Sequence, residues 1–350
     1  MLKNINKSTE LIIKKMGYKE SDNLFYYDDL YNDKKKTRLS YQTVKNLKEI
    51  KPYAFYCVDD KPFILLFNTI NDKEKLKKIN KKIWNMQIPI VIFDDINCIK
   101  IFNGSCLEFD EIQLSLIKEE DIDEIDEKNE FSYWNINRKD FWLKYEKTYK
   151  NKKLNEFMLE NIKYITQKLK NEYKLEFATK LILRVIFIRY LIDKGVDIGY
   201  NGFTSDIEKS REKLIEIAKD KVQLYELFRY LKEKFNGNLF ELSAELNDVN
   251  LTQDVFSLIS TFLSGKEKQK TGQQSLFSMY DFDIIPVSLI SNIYEILLGE
   301  EKQKADKAFY TPDYLVKYVV EQALDKEQIK ERLVTLDPSC GSRNIFRRMF

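Results

Sequence analysis

A chain of 350 residues is long for one hydrophobic core, so two or three domains are expected; 43% hydrophobic and 13% aromatic residues argue against wholesale disorder. Lys and Arg number 58 against 56 Asp and Glu, so a polyanion would have to be met by local patches and not by overall charge. Histidine is absent, which excludes Ser-His-Asp and Cys-His nucleophiles, other His-based acid/base chemistry, HNH-type nucleases and His-ligated zinc.

The first residues, Met1-Leu2-Lys3-Asn4-Ile5-Asn6-Lys7, carry no apolar h-region, so no secretion is expected. Residues 54–58 and 63–67 are apolar runs flanking the turn-like Asp59-Asp60-Lys61-Pro62, and read as a hairpin of two strands. A Lys-rich amphipathic helix follows, with Leu76, Ile79, Ile83 and Trp84 on one face. Two further strands, 88–93 and 98–102, are separated by Asp94-Asp95-Ile96-Asn97. Residues 1–125 are therefore expected to form a small mixed α/β domain. Cys57, Cys98, Cys106 and Cys340 form no C-x-x-C pair, so free thiols in a reducing cytoplasm are the expectation. The acidic stretch 118–130 reads as a linker or a solvated short helix.

From Phe131 the pattern turns helical, and a helical domain over 126–300 is expected. Residues 177–192 are apolar nearly all round, which places that helix inside a bundle. Its core, 181–192, contains Arg184 and Arg189 and falls short of the ~20 residues needed to span a bilayer, so no membrane association is expected. Leu224, Leu227, Phe228, Leu231 and Phe235 share a helix face that ends at Asn236-Gly237-Asn238. Residues 265–274 form a polar, Gly-bounded loop, and Ile285-Pro286 opens another helix bearing Leu289, Ile290, Ile293, Ile296 and Leu297. The Lys-rich run 73–82 and the pair Arg184 and Arg189 are candidate DNA contacts, against a favoured reading as solvated face and buried ion pairs. Trp84, Trp134 and Trp142 read as core anchors and not as stacking platforms.

Chemistry concentrates after residue 300. Ala308-Phe309-Tyr310-Thr311-Pro312 begins a helix with a hydroxyl N-cap, proline at N1 and Asp313 in the first turn. Leu315, Val316, Val319, Val320, Ala323 and Leu324 give that helix a packing face. A charged connector leads to a short strand, 333–336, which ends in Asp337-Pro338-Ser339-Cys340-Gly341-Ser342. A strand that delivers an acid and a tight Gly turn at its carboxyl end is where doubly wound folds place nucleotide-like ligands. One such turn could arise by chance; a Tyr-Thr-Pro element, a helix and this turn in succession are far more specific.

In these blocks the chain resembles adenine-specific N6 DNA methyltransferases of restriction–modification systems, above all the long single-chain kind with a nuclease-like N-terminal domain. Residues 181–191, 234–240 and 280–286 share the likeness, which runs from about 175 to 342 and is weak before 130. The resemblance implies an S-adenosylmethionine pocket lined by Tyr310, Thr311, Pro312, Asp337, Pro338, Ser339, Cys340 and Gly341. It also implies double-stranded DNA as partner. The expected fold class is α+β, mainly α: a small mixed α/β domain, a central helical bundle, and over 301–350 the first helix and strand of a Rossmann-like methyltransferase domain.

Two departures stand out. Arg343 occupies the place of the family's second glycine, and Arg347-Arg348-Met349-Phe350 does not resemble the helix that normally follows. The family's catalytic Asn/Asp-Pro-Pro-Tyr/Phe, which holds and stacks a flipped adenine, needs adjacent prolines. The six prolines here stand at 52, 62, 89, 286, 312 and 338. No catalytic residue is therefore assigned. The expectation is a truncated fragment, from a gene interrupted or split, whose remaining strands and target-recognition domain reside in a downstream polypeptide. Two alternatives stay open. One is a non-enzymatic DNA- or protein-binding subunit that needs a second chain. The other is a metal-dependent endonuclease acting through residues 1–125, with magnesium as cofactor. For the latter, the strand 63–67 runs into Asn68-Thr69-Ile70 without an acid-x-Lys pair. Asp59, Asp60, Asp94, Asp95 and Asp33-Lys34-Lys35 are the carboxylates at hand.

Overall fold

The computed structural model describes residues 2–32, 39–95, 97–149, 154–235, 238–242, 244–266 and 277–285, together with 293, 318, 319 and 322. Among them are one mixed six-stranded sheet and eleven α-helices. Helices α1 (Leu2–Lys15) and α2 (Tyr41–Ile50) flank the short strand β1 (Leu24–Tyr26). The hairpin expected at Asp59-Asp60 follows: β2 (Ala54–Val58) pairs antiparallel with β3 (Lys61–Asn68). Asp59 and Asp60 turn the chain with φ of 49° and 58°, a left-handed region that Asp tolerates better than most residues. Helix α3 (Lys73–Met86) then carries the chain back over the sheet, so that β4 (Ile90–Asp95) lies parallel to β3. Strands β5 (Cys98–Glu108) and β6 (Gln113–Asp121) add antiparallel, giving the order β1-β2-β3-β4-β5-β6.

The acidic stretch from residue 118 is corrected here. It is neither linker nor helix at its start: Lys118 to Asp121 complete β6, and only Ile122–Glu124 makes a single 3₁₀ turn. Glu119 lies opposite Lys100 of β5, and an edge position leaves Glu119 and Asp121 in water. Ladder hydrogen bonds with such pairing outweigh the weak strand preference of acidic residues.

Alternation along β3 and β4 sorts their side chains onto two buried faces, which is why both strands read as continuous apolar runs. Leu65, Phe67, Val91 and Phe93 share a core with Leu47 and Ile50 of α2 and with Ile79, Ile83 and Trp84 of α3. Ile64, Leu66, Ile90 and Ile92 pack with Ile12, Ile13 and Met16 of α1. The short helices α4 (Tyr133–Ile136) and α5 (Lys139–Lys144) join that second layer through Ile136 and Phe141. Tyr149 of α6 (Glu146–Tyr149) extends it by packing on Trp142. The chain past residue 125 thus stays on the sheet for two dozen residues before it enters the helical unit.

Of the tryptophans expected as core anchors, Trp84 is buried, and Trp142 meets Phe63 and Phe141 edge-on. Trp134 departs from that expectation at 47% exposed. Its indole closes on Gly17, where an added Cβ would come within 2.9 Å of Nε1, while much of the indole remains in water.

The helical unit comprises α7 (Leu154–Asn171), α8 (Ala178–Asp193), α9 (Ile207–Ile217), α10 (Lys221–Phe235) and α11 (Gln253–Leu263). As its all-round apolarity predicts, α8 is buried on nearly every side. On α10, Leu224, Leu227, Phe228 and Leu231 are buried, whereas Phe235 at the last turn is 38% exposed. Residues 267–274 of the expected loop and the helix expected from Ile285-Pro286 fall outside the described residues, save that Ile293 is buried. No helix among the described residues is long and apolar enough to cross a membrane.

The arginines of α8 form buried ion pairs. Arg184 bonds Glu245 Oε2 at 2.6 Å through Nη1, and it donates to the Leu239 carbonyl at 2.7 Å and to the Glu241 carbonyl at 2.8 Å. Neither side chain of the pair is more than 4% exposed, and removing one partner of such a pair costs about 3–5 kcal/mol. Glu245→Gln is therefore expected to lower the unfolding free energy measured in urea by an amount of that order, and so the midpoint, and Arg184→Met added to it to recover part of the loss. A midpoint unchanged by Glu245→Gln would show that the 3₁₀ turn Ala244–Asn247 is held on α8 by other means.

Candidate functional site

The residues singled out for the cofactor, Tyr310, Thr311, Pro312, Asp337, Pro338, Ser339, Cys340 and Gly341, all lie outside the described residues, as does Asp33-Lys34-Lys35. The described part carries two polar constellations of its own.

The first stands at the carboxyl ends of β3 and β4, the only parallel pair among the described strands and the place where open α/β sheets bind ligands. Asn68 and Asp94 lie opposite each other there. On the α1 face the Asp94 carboxylate is buried and accepts hydrogen bonds from Thr9 Oγ1 at 2.7 Å and Ser8 Oγ at 3.1 Å. The Thr9 hydroxyl also lies 2.5 Å from Asn68 Oδ1, so two acceptors compete for its single proton. On the α3 face the same strand ends border a cleft of 210 Å³, lined by Thr69, Ile70, Asn80, Phe93 and Phe102 among others. Asp95 and Lys100 line it too, paired at 2.6 Å. Asn80 donates to the Ile112 carbonyl at 3.2 Å, while its Oδ1 is buried with no partner among the described residues. Apolar side chains and the polar Thr69, Asn80, Asp95 and Lys100 share its lining.

Of the carboxylates weighed for an endonuclease, the four among the described residues, Asp59, Asp60, Asp94 and Asp95, do not converge on one point. Asp59 and Asp60 sit in an exposed turn at the opposite end of β3 from Asn68 and Asp94, and Asp95 is engaged by Lys100. Among the described residues no three Asp, Glu or Cys side chains converge to hold a metal ion.

The Lys-rich face of α3 divides in two. Lys73, Lys75 and Lys78 are exposed, and Lys77 pairs with Glu74 at 2.9 Å. Further along, Lys82 pairs with Glu49, and Lys81 donates to the Ser278 carbonyl at 3.2 Å. Burial, with Arg211 and Arg189 nearby, lowers the Lys81 ammonium below its ordinary value. That half of the helix is turned toward protein, and only the first half is a solvated face.

The second constellation is a charged seam at the end of α8. Asp193 is 1% exposed; its Oδ1 accepts from Arg189 Nε at 2.8 Å and from Arg211 Nε at 2.7 Å. Its Oδ2 accepts the Phe282 N–H at 3.0 Å. Arg211 of α9 is steered by Glu208 at 2.6 Å. A reading of the sequence that weighed only Arg184 and Arg189 missed Asp193 and Arg211. The available signal was an Asp four residues beyond an Arg on a helix with no solvent face, a spacing at which side chains meet.

Burial by itself would raise the Asp193 carboxyl, but Arg189 and Arg211 outweigh it and hold the group below the ordinary carboxylate range. A carboxyl depressed in the folded state contributes stability above its unfolded value of about 3.9, and that contribution is lost as pH falls through the folded value. Urea unfolding of Asp193→Asn is therefore expected to show lower stability at pH 7 and a shallower loss on acidification below about pH 4 than wild type. Parallel acid limbs for the two proteins would show that this carboxylate is not held down.

No family model, no curated protein and no solved structure matches this chain.

Proposed function

We propose that this chain supplies the S-adenosylmethionine-binding opening, with the α/β and helical units that precede it, of a DNA adenine-N6 methyltransferase from a restriction–modification or phage-defence system. One observation carries the reading: Ala308-Phe309-Tyr310-Thr311-Pro312 is followed after a helix-length segment by Leu333-Val334-Thr335-Leu336-Asp337-Pro338-Ser339-Cys340-Gly341-Ser342. On that reading residues 301–350 begin a Rossmann-like domain. Asp337 accepts hydrogen bonds from the cofactor, and Gly341 lets the backbone approach it. The enzyme acts in the cytoplasm on duplex DNA, flips an adenine from the stack and transfers the methyl group to its N6. These 350 residues contain no Pro-Pro pair, so the group that holds the flipped adenine comes from further sequence, in the same chain or in a second polypeptide.

Equilibrium dialysis with tritiated S-adenosylmethionine tests this directly. The chain is expected to bind the cofactor, Asp337→Ala to weaken binding by about tenfold or more through loss of a charge-assisted hydrogen bond, and the chain alone to transfer no methyl to an adenine-rich plasmid. Absence of cofactor binding sinks the assignment. Methyl transfer by the isolated 350 residues refutes the need for a further element.

A further inference from the structure

The 210 Å³ cleft beside the carboxyl ends of β3 and β4 is walled by apolar and aromatic side chains. Ile70 and Leu76 come from the crossover after β3, and Phe93 and Phe102 from the neighbouring strands β4 and β5. The two phenyl rings meet edge to face at 5.7 Å. The volume is below the roughly 300–1,000 Å³ of sites that take drug-sized molecules, so a ligand here is one small ring system.

What the polar lining can still bind lies mainly on the acceptor side. Asn80, 4% exposed, spends Nδ2 on the Ile112 carbonyl, and its Oδ1 has no partner among the described residues. Thr69 gives its one hydroxyl proton to the Asp94 carbonyl and keeps oxygen lone pairs to offer. Asp95 holds Lys100 at 2.6 Å, so their charges cancel while the carboxylate retains spare lone pairs. Gln113, which is exposed, can donate or accept. Among the described residues that line the cleft, Lys100 alone is cationic. The first turn of α3 carries Glu74 and is capped by Asp72, which accepts the Lys75 N–H at 3.0 Å. That end of the helix offers a phosphate little, whereas an uncharged ring with N–H donors matches the lining.

We propose that this cleft binds an amino-bearing nucleobase of the adenine or cytosine kind, with its ring against Phe93 and Phe102 and its N–H groups toward Asn80, Thr69 and Asp95. Aromatic walls favour a flat ring. An amide oxygen withdrawn from water favours a ligand that brings a donor over one that lacks it. Every residue involved belongs to the α/β unit, so this binding is independent of the methyltransferase reading.

Saturation-transfer NMR titrations of the full chain with adenine, purine and adenosine monophosphate test the proposal. Adenine is expected to bind. Purine, the same ring system without the amino group, is expected to bind about tenfold more weakly, the worth of one hydrogen bond, and adenosine monophosphate no more tightly than adenine. Ile70→Trp fills the cleft from a half-buried position and is expected to abolish adenine binding. Asn80→Leu is expected to weaken it by about tenfold. Circular dichroism shows which variants are folded; if either is not, the other decides together with the purine comparison. The proposal is overturned if adenine does not bind, if purine binds as well as adenine, or if binding survives in folded Ile70→Trp. Adenosine monophosphate binding tenfold more tightly than adenine overturns it as well, by showing that a phosphate is what the site holds.

Discussion

The Asp193 carboxylate, almost wholly withdrawn from water, is the point on which the helical unit and its neighbours converge. A buried anion is tolerable only when opposite charge and hydrogen-bond donors replace its hydration, and Asp193 collects two guanidinium groups and a backbone N–H. Each donor comes from a different part of the chain: α8 itself, α9, and the segment after 277. Satisfying one carboxylate therefore fixes three pieces of backbone relative to each other. Arg184 does the same about two and a half turns earlier on α8, gathering the Leu239 and Glu241 carbonyls and Glu245. An apolar helix with two arginines and an aspartate is in this way both the centre of a core and the organiser of its surroundings.

The sheet reaches that centre through continuous apolar packing. One face of β3 and β4 shares a single hydrophobic cluster with α2, α3 and the helices α7 to α11, so water is excluded across the whole distance. Trp84 is the hinge of this arrangement, packed edge-on against Phe109 beside the sheet and stacked on Tyr280 beside α8. Burial on that scale sets a low-dielectric surrounding for the charged seam, which strengthens each of its hydrogen bonds and penalises any that is missing. Burial of the sheet and satisfaction of the seam are therefore not independent.

Much of this was legible in the residues. The Asp59-Asp60 turn, the crossover helix with Ile79, Ile83 and Trp84 inward, and the burial of α8 each follow from periods or turn chemistry confined to a dozen residues. Strand β1 was not legible, because three residues carry no period. Nor was the end of β6, because Lys118-Glu119-Glu120-Asp121 looks solvated until Lys100 of the neighbouring strand is placed beside Glu119. Trp134 misled for a related reason: an indole usually marks a core, and only the missing side chain at Gly17 lets this one approach the backbone while staying half in water.

By itself the sequence determined that these 350 residues hold no histidine and no adjacent prolines, and it set out the two blocks after residue 308 on which the proposed cofactor site rests, whose spacing is local and so readable without a fold. It likewise determined where helices and turns lie, since those depend on neighbours within a few positions. Tertiary structure decided what the polar residues are for. Asn85 meets the Asp281 backbone across 196 positions, and Lys45 meets Asp283 across 238. No local pattern encodes such pairs, because an amide or an ammonium on a helix looks the same whether it faces water or another segment. Only the packing of α2 and α3 against residues 277–285 chooses between the two.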